Sequence, residues 1–314
     1  MSRKRMIGFI GLGAMGTPMA NRLLDAGWKL IVYDRKETAC RVLVLKGAAI
    51  AVNPREVAEK ADIVLTMLSD DNAVRDAAFG DNGIFAGLGE GKILADISTT
   101  SLGLALDLEA AASGVGAKSL DVRVSGSIDH AQTGDLLILV GGNSQVLERV
   151  RPVLEVLGKK IIHTGGHGTA ASVKIALNIL LGLEMQALAE TMVLARKSGI
   201  APLIMSEVIT SSGLASPLII SKLKQIHNND FNRRFALKYM QKDLGLALDE
   251  GQRLNVPMPA VASVNEVAKA GIAAGYGDID CSVLYLVIAQ MSGLQIETTV
   301  SDTQALTEEP AHAI

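Results

Sequence analysis

Three glycines, Gly11, Gly13 and Gly16, sit between a short apolar run, 6–10, and a stretch of helical periodicity in the segment MIGFIGLGAMGTPMA. A second apolar run, 29–33, ends at Asp34. Strand, glycine turn, helix, strand and acidic residue therefore follow in order, and each has a part in holding a dinucleotide. Gly11 permits a tight turn, Gly13 lets a pyrophosphate approach the backbone, and Gly16 lets helix and strand pack closely. Leu12, Ala14 and Met15 complete a loop whose amide N–H groups and helix dipole suit phosphate. The Asp34 carboxylate can accept hydrogen bonds from the adenine ribose of NAD and would repel a 2′-phosphate. Arg35, next to it, is a cation that could accommodate that phosphate, so NAD is the favoured cofactor and NADP the alternative. Asp34 could also cap a helix over 36–46.

The first half of the 314-residue chain alternates apolar runs with helical patterns. Strands are expected at 6–10, 29–33, 62–67, 93–96, 118–121, 136–141 and 160–163. Helices are expected at 15–26, 36–46, 54–60, 71–77, 101–114 and 144–156. Such alternation predicts an α/β domain, a doubly wound, mostly parallel sheet with helices on both faces. After Gly168 the strand runs stop, and helices are expected at 169–197, 203–212, 215–226, 235–254, 259–274 and 280–292. The expected organisation is a dinucleotide-binding Rossmann domain, 1–165, an all-α substrate and oligomerisation domain, 166–295, and a disordered polar tail, 296–314.

Composition narrows the function. The net charge of −3 gives no positive field for nucleic acid. Two cysteines, Cys40 and Cys281, make neither a disulfide framework nor a zinc site, which suits a cytoplasmic protein. His163, His167 and His227 lack metal-ligand spacing and read as polar surface residues. The longest apolar stretch, 170–195, carries Lys174, Asn178, Glu184 and Glu190, which are costly in lipid, so no membrane span is expected. A helix so apolar needs cover on several faces, which predicts a homodimer unless the sheet domain covers it.

Five blocks in order now carry a resemblance. They are Ile7–Gly16, Asp96-Ile-Ser-Thr99, Asp121-Val-Arg-Val-Ser-Gly-Ser127, the helix with Lys174 and Asn178, and Lys242-Asp-Leu-Gly-Leu-Ala247. Together they resemble the β-hydroxyacid dehydrogenases, the 3-hydroxyisobutyrate dehydrogenase family, over residues 6–293. The resemblance implies an NAD(P)-binding Rossmann domain followed by a helical domain that forms dimers or tetramers. It implies that Leu68 and Ser69 lie along the cofactor, that Thr99 lies near nicotinamide and substrate, and that Lys242 approaches both. It also implies that Ser125, Gly126 and Ser127 cradle the carboxylate of a small-molecule substrate through successive N–H groups and a hydroxyl.

Lys174 is the candidate general acid/base: hydride transfer to a carbonyl needs a proton for the developing alkoxide, and oxidation needs one removed. Asn178 lies one turn on along the same face and could hold the substrate hydroxyl or the lysine. Five residues depart from the family pattern: Arg123 for a proline, Ser127, His130 and Ala170 for glycines, and Leu177 for an asparagine. Arg123 could bind a second anionic group of the substrate, or it could instead face solvent or pair with a carboxylate. The expected activity is reversible hydride transfer on a small β-hydroxyacid, such as 3-hydroxyisobutyrate, 2-hydroxy-3-oxopropionate or a sugar acid. An imine reductase and a dinucleotide-binding scaffold without catalysis are the alternatives.

Overall fold

The computed structural model describes residues 5–296. Eight strands form one sheet: β1 (Met6–Ile10), β2 (Lys29–Tyr33), β3 (Ala49–Ile50), β4 (Ile63–Thr66), β5 (Ile93–Asp96), β6 (Lys118–Ser125), β7 (Leu136–Gly141) and β8 (Gly158–Gly165). Their order is β3-β2-β1-β4-β5-β6-β7-β8, parallel from β3 to β6; the β6–β7 pair is antiparallel, and β8 runs with β7.

Side chains alternate across the pleat, so an almost wholly apolar strand needs cover on both faces. Ile7, Phe9, Ile63, Leu65, Ile93 and Ala95 join one core. That core is closed by α1 (Gly16–Asp25), α2 (Glu37–Leu45), the short α6 (Ile128–Thr133) and α7 (Ser144–Leu157). Ile10, Ile31, Val64 and Leu94 join the opposite core, under α3 (Pro54–Lys60), α4 (Asp71–Phe79) and α5 (Leu102–Gly114). The Rossmann-type domain expected from the sequence is present, and its switch point lies between β1 and β4.

The helical part comprises α8 (Thr169–Lys197), α9 (Pro202–Ser211), α10 (Pro217–His227), α11 (Leu237–Leu254), α12 (Pro259–Gly271) and α13 (Leu284–Met291). Proline opens α9, α10 and α12, where its missing N–H costs no intrahelical bond. The helix expected over 259–274 ends at Gly271 and passes into a π-helical turn, because Gly275 takes φ +90°. Leu188, Met192, Leu237, Leu244, Val264 and Leu284 belong to the single core of these helices.

The chain divides into two compact units, the first ending at Lys174 and the second starting at Ile175. The division falls inside α8, beyond the turn expected at residue 165. The first turn of α8 belongs to the sheet unit: Ala170 and Ala171 are buried, and the Ala171 N–H donates to Asp121 Oδ2 at 3.0 Å. Among the described residues α8 is also the one helix long and apolar enough to cross a membrane by length and composition. Its Ile175, Met185, Leu188, Ala189, Met192 and Val193 lie in the core of the helical unit. The expected tail, from residue 297 on, lies outside the described residues.

Candidate active site

Parallel pairing brings the candidate loops to one edge of the sheet. Ile10 is in register with Tyr33 and Thr66, Thr66 with Asp96, and Asp96 with Asp121. The segments that leave these strands carry Gly11–Gly16, Asp34, Leu68, Ser69, Thr99 and Ser125–Ser127, beyond the carboxyl ends of the strands where open α/β sheets bind ligands.

The three glycines separate by physical cause. Gly11 holds φ +95°, and a Cβ there would collide with the Met67 carbonyl. A Cβ on Gly16 would strike the Gly11 carbonyl, so the helix packs on the strand only with glycine there. Gly13 differs: a Cβ there would meet no atom within 4 Å, so nothing in the protein requires glycine. The start of α1 has no side-chain cap and no acidic residue in its first turn. By contrast Asn53, Asp70, Ser101 and Asn143 cap α3, α4, α5 and α7. An exposed Gly13 in front of uncapped helix N–H groups fits a dinucleotide pyrophosphate. Gly13→Val should therefore leave the melting temperature unchanged and weaken dinucleotide binding at least about tenfold, roughly 1.4 kcal/mol, measured by fluorescence titration and thermal melting.

Asp34 accepts the Leu12 N–H on Oδ2 and the Lys36 N–H on Oδ1, both at 2.8 Å. These bonds tie the glycine loop to the end of β2 and leave further lone pairs for a ribose. Asp34 is not the N-cap of α2, whose cap position is Lys36 with no side-chain bond. Arg35 is exposed.

Leu68 donates its N–H to the buried Ser98 Oγ at 2.9 Å, and the Ser69 hydroxyl donates to Asp70 Oδ2 at 2.7 Å. Ser101 caps α5 by accepting the Leu104 N–H, so Thr99 is not needed for that role. Thr99 and Lys174 are both half-buried.

The loop Ser125–Ser127 makes a contact that its motif does not encode. Ser127 donates its N–H to His130 Nδ1 at 3.1 Å, and its hydroxyl lies 2.8 Å from the same nitrogen. One of the successive N–H groups expected for a carboxylate is thus engaged within the protein. Gly126 takes φ +147°, and a Cβ there would crowd Leu136 and His130.

Arg123 corrects an expectation. It is fully buried, with its guanidinium 3.1 Å from Asp96 Oδ2 and 3.0 Å from Asp121 Oδ1. Of the readings open from the sequence, pairing with protein carboxylates is the one realised, so Arg123 is not a cation for substrate. His167 is a second correction. Its side chain is only 4% exposed, 3.3 Å from Glu109, and burial pushes its pKa down against the pull of Glu109 and Asp121.

In the helical unit, Asn178 is buried and donates from Nδ2 to Asp243 Oδ2 at 2.6 Å. Lys242 Nζ lies 3.0 Å from Asp243 Oδ1. Asp243 thus bridges two candidate residues. Its place beside Lys242 in the sequence was a signal, but its tie to Asn178 spans sixty-five positions and was not legible. Among the described residues no group of three or more His, Cys, Asp or Glu is placed to hold a metal ion.

Comparison with known proteins agrees with this fold. Residues 6–165 match the family model for the NAD binding domain of 6-phosphogluconate dehydrogenase. Residues 168–288 match the NAD-binding domain of NADP-dependent 3-hydroxyisobutyrate dehydrogenase. The chain is 37% identical to 2-(hydroxymethyl)glutarate dehydrogenase of Eubacterium barkeri, covering 94% of this chain and 99% of that protein. It is 36% identical to 3-sulfolactaldehyde reductase of Escherichia coli, covering 92% and 97% respectively. A solved structure of Mycobacterium tuberculosis 3-hydroxyisobutyrate dehydrogenase with L-serine superposes with a TM-score of 0.83 at 32% identity, over 91% of this chain and 99% of that one. With matching models over both units and relatives aligned almost end to end, the chain belongs to the β-hydroxyacid dehydrogenase family, the NAD(P)-dependent oxidoreductases that act on small hydroxyacids.

Proposed function

We propose that this enzyme interconverts a primary carbinol β to a carboxylate and the corresponding semialdehyde acid, with Lys174 as the general acid/base. When bound, the nicotinamide supplies or takes up the hydride. In oxidation the Lys174 amine accepts the hydroxyl proton as the carbinol carbon loses hydride; in reduction its ammonium returns that proton. Ser125 and Gly126 bind the carboxylate, with Ser127 closing that loop through its bond to His130; Thr99 orients the reacting oxygen, and Asn178, fixed by Asp243, does the same with Lys242. The observation that carries this reading is the anchoring of α8: Ala171 is bonded to Asp121 of the sheet unit, and Lys174 follows one helical turn later. A carbinol β to an acid is also the motif in the name of the Eubacterium barkeri relative.

NAD is the proposed cofactor, because the Asp34 carboxylate stands at the end of β2 with acceptor capacity to spare. A homodimer or homotetramer is proposed from the outward Leu180, Leu194 and Leu203 of the helical unit, and a cytoplasmic location from the free, buried Cys40 and Cys281. Steady-state assays on a panel of three- and four-carbon hydroxyacids and semialdehydes test the reading, with NAD(H) and NADP(H) in parallel. The expected result is turnover of at least one such acid, with kcat/KM higher for NAD. Turnover of cyclic imines alone would overturn it.

A further inference from the structure

Arg123 lies at the centre of a buried network that meets the Leu68 loop, the segment around Thr99 and the first turn of α8. One guanidinium nitrogen donates to the Asp96 carbonyl at 2.9 Å, to Asp96 Oδ2 at 3.1 Å and to the Val122 carbonyl at 2.9 Å. The other donates to Thr100 Oγ at 2.9 Å and lies 3.0 Å from Asp121 Oδ1. From there the bonds run outward in three directions. Asp96 Oδ1 accepts the Thr66 hydroxyl at the end of β4 and the Ser98 N–H. Ser98 Oγ accepts the Leu68 N–H. Asp121 Oδ2 accepts the Ala171 N–H in the first turn of α8.

The residues on either side of Thr99 are therefore both pinned, Ser98 through Asp96 and Thr100 through Arg123. The turn of α8 that precedes Lys174 is pinned through Asp121. Arg123, Asp96, Asp121, Ser98 and Thr100 are all buried, so none of them is offered to a ligand. Two carboxylates share one guanidinium, an arrangement that brings little net stability compared with an apolar core of the same shape. What it does supply is direction: the planar fork bonds Asp96 with one nitrogen and Thr100 with the other, as no single-point cation can, while Asp121 is held beside it by charge at 3.0 Å.

We propose that Arg123 is a positioning residue for hydride transfer, holding the Thr99 loop and the Lys174 turn of α8 in register through Asp96, Thr100 and Asp121. The inference rests on the roles proposed above for Thr99 and Lys174. A reacting group displaced by about 1 Å costs on the order of a hundredfold in rate. Loosening the network should therefore act on kcat while the glycine loop goes on binding dinucleotide.

Four variants of the full chain test this: Arg123→Lys, Thr100→Val, Val150→Ala and Lys174→Ala. Arg123→Lys keeps the charge and removes the fork. Thr100→Val keeps the shape and removes one link. Val150→Ala opens a cavity in α7, away from the network, and serves as a control for lost stability. Each is assayed well below its melting temperature for kcat, KM, dinucleotide affinity and the pH dependence of kcat/KM.

The expected result is a fall in kcat of about a hundredfold for Arg123→Lys and about tenfold for Thr100→Val. Dinucleotide affinity should stay within about threefold, and the pH profile of Arg123→Lys should shift. Val150→Ala should keep kcat within about twofold at a comparable loss of melting temperature. If Thr100→Val and a folded Arg123→Lys both turn over like the parent, the inference is wrong; should Arg123→Lys fail to fold, Thr100→Val decides. Full activity in Lys174→Ala would instead remove the reading on which the inference rests. An inactive Lys174→Ala beside normal Thr100→Val and Arg123→Lys would remove the inference alone.

Discussion

Lys174→Ala is expected to lower kcat by roughly 10²–10⁴-fold, the span over which a positioned proton donor contributes, while dinucleotide affinity and melting temperature stay near those of the parent. The side chain is half-buried on a helix whose first turn is bonded into the sheet unit, so its removal leaves no large cavity in either core. The two reaction directions should respond to pH with opposite signs. Oxidation needs the neutral amine and should be favoured by higher pH; reduction needs the ammonium and should be favoured by lower pH. Both dependences should vanish together in Lys174→Ala. Lys174→Arg should also fail, because a guanidinium stays protonated at any working pH and cannot accept the proton. Activity within a few-fold of the parent in Lys174→Ala would remove the proposed mechanism.

Asp280→Ala should produce the largest loss of stability. Asp280, in the segment that joins α12 to α13, is wholly buried and organises its surroundings. It lies 2.5 Å from Lys222 Nζ, itself buried in α10, and accepts the N–H groups of Arg234, Phe235 and Ser282. Removing the carboxylate strands a buried ammonium and three backbone donors, at a cost of about 3–5 kcal/mol. A loss of that size should lower the melting temperature by about 10 °C.

The pH dependence follows from the same contacts. Burial acts to raise the Asp280 pKa, but Lys222 and the N–H donors outweigh it and hold the carboxyl below its usual range. A depressed folded-state pKa means that the stabilisation is fully present above the unfolded value, about 3.9. It is lost as pH falls through the lower folded value. Chemical denaturation of parent and Asp280→Ala across the acid range should show their stabilities converging toward the acid end. A constant difference down to the lowest pH would contradict this origin. The neighbouring Cys281 thiol, buried beside this carboxylate, is pushed up to about 12 and stays protonated.

Much of this fold was legible because its signals are local. Glycine spacing, apolar runs and proline at helix starts each act over a few residues, and β1, β2, α3 and α8 match the expected spans. Where the expectation fell short, a distant partner was the cause. The strand expected at 118–121 runs on to Ser125, because Arg123, a charged residue that would ordinarily break a buried strand, is neutralised by Asp96 and Asp121. His167 reads as a surface residue until Ser119 and Glu109 are seen beside it. The short α6 escaped notice because its start is a capping box that uses His130 in place of the usual glutamate or glutamine. Of the candidate site, the residue types could be read from motifs. The bonds that hold them, such as Asn178 to Asp243, depend on tertiary placement that no short spacing encodes.

The most direct test of hydride transfer by this chain uses a reduced dinucleotide carrying deuterium at C4 of the nicotinamide. The purified protein is incubated with it and with the best semialdehyde acid from the substrate panel, and the product is examined by mass spectrometry and proton NMR. The account predicts one deuterium on the carbinol carbon of the hydroxyacid product, from one face of the nicotinamide only. Product without deuterium at that carbon from both the 4R- and the 4S-labelled dinucleotide, or a bound dinucleotide that no acid of the panel oxidises, would contradict it.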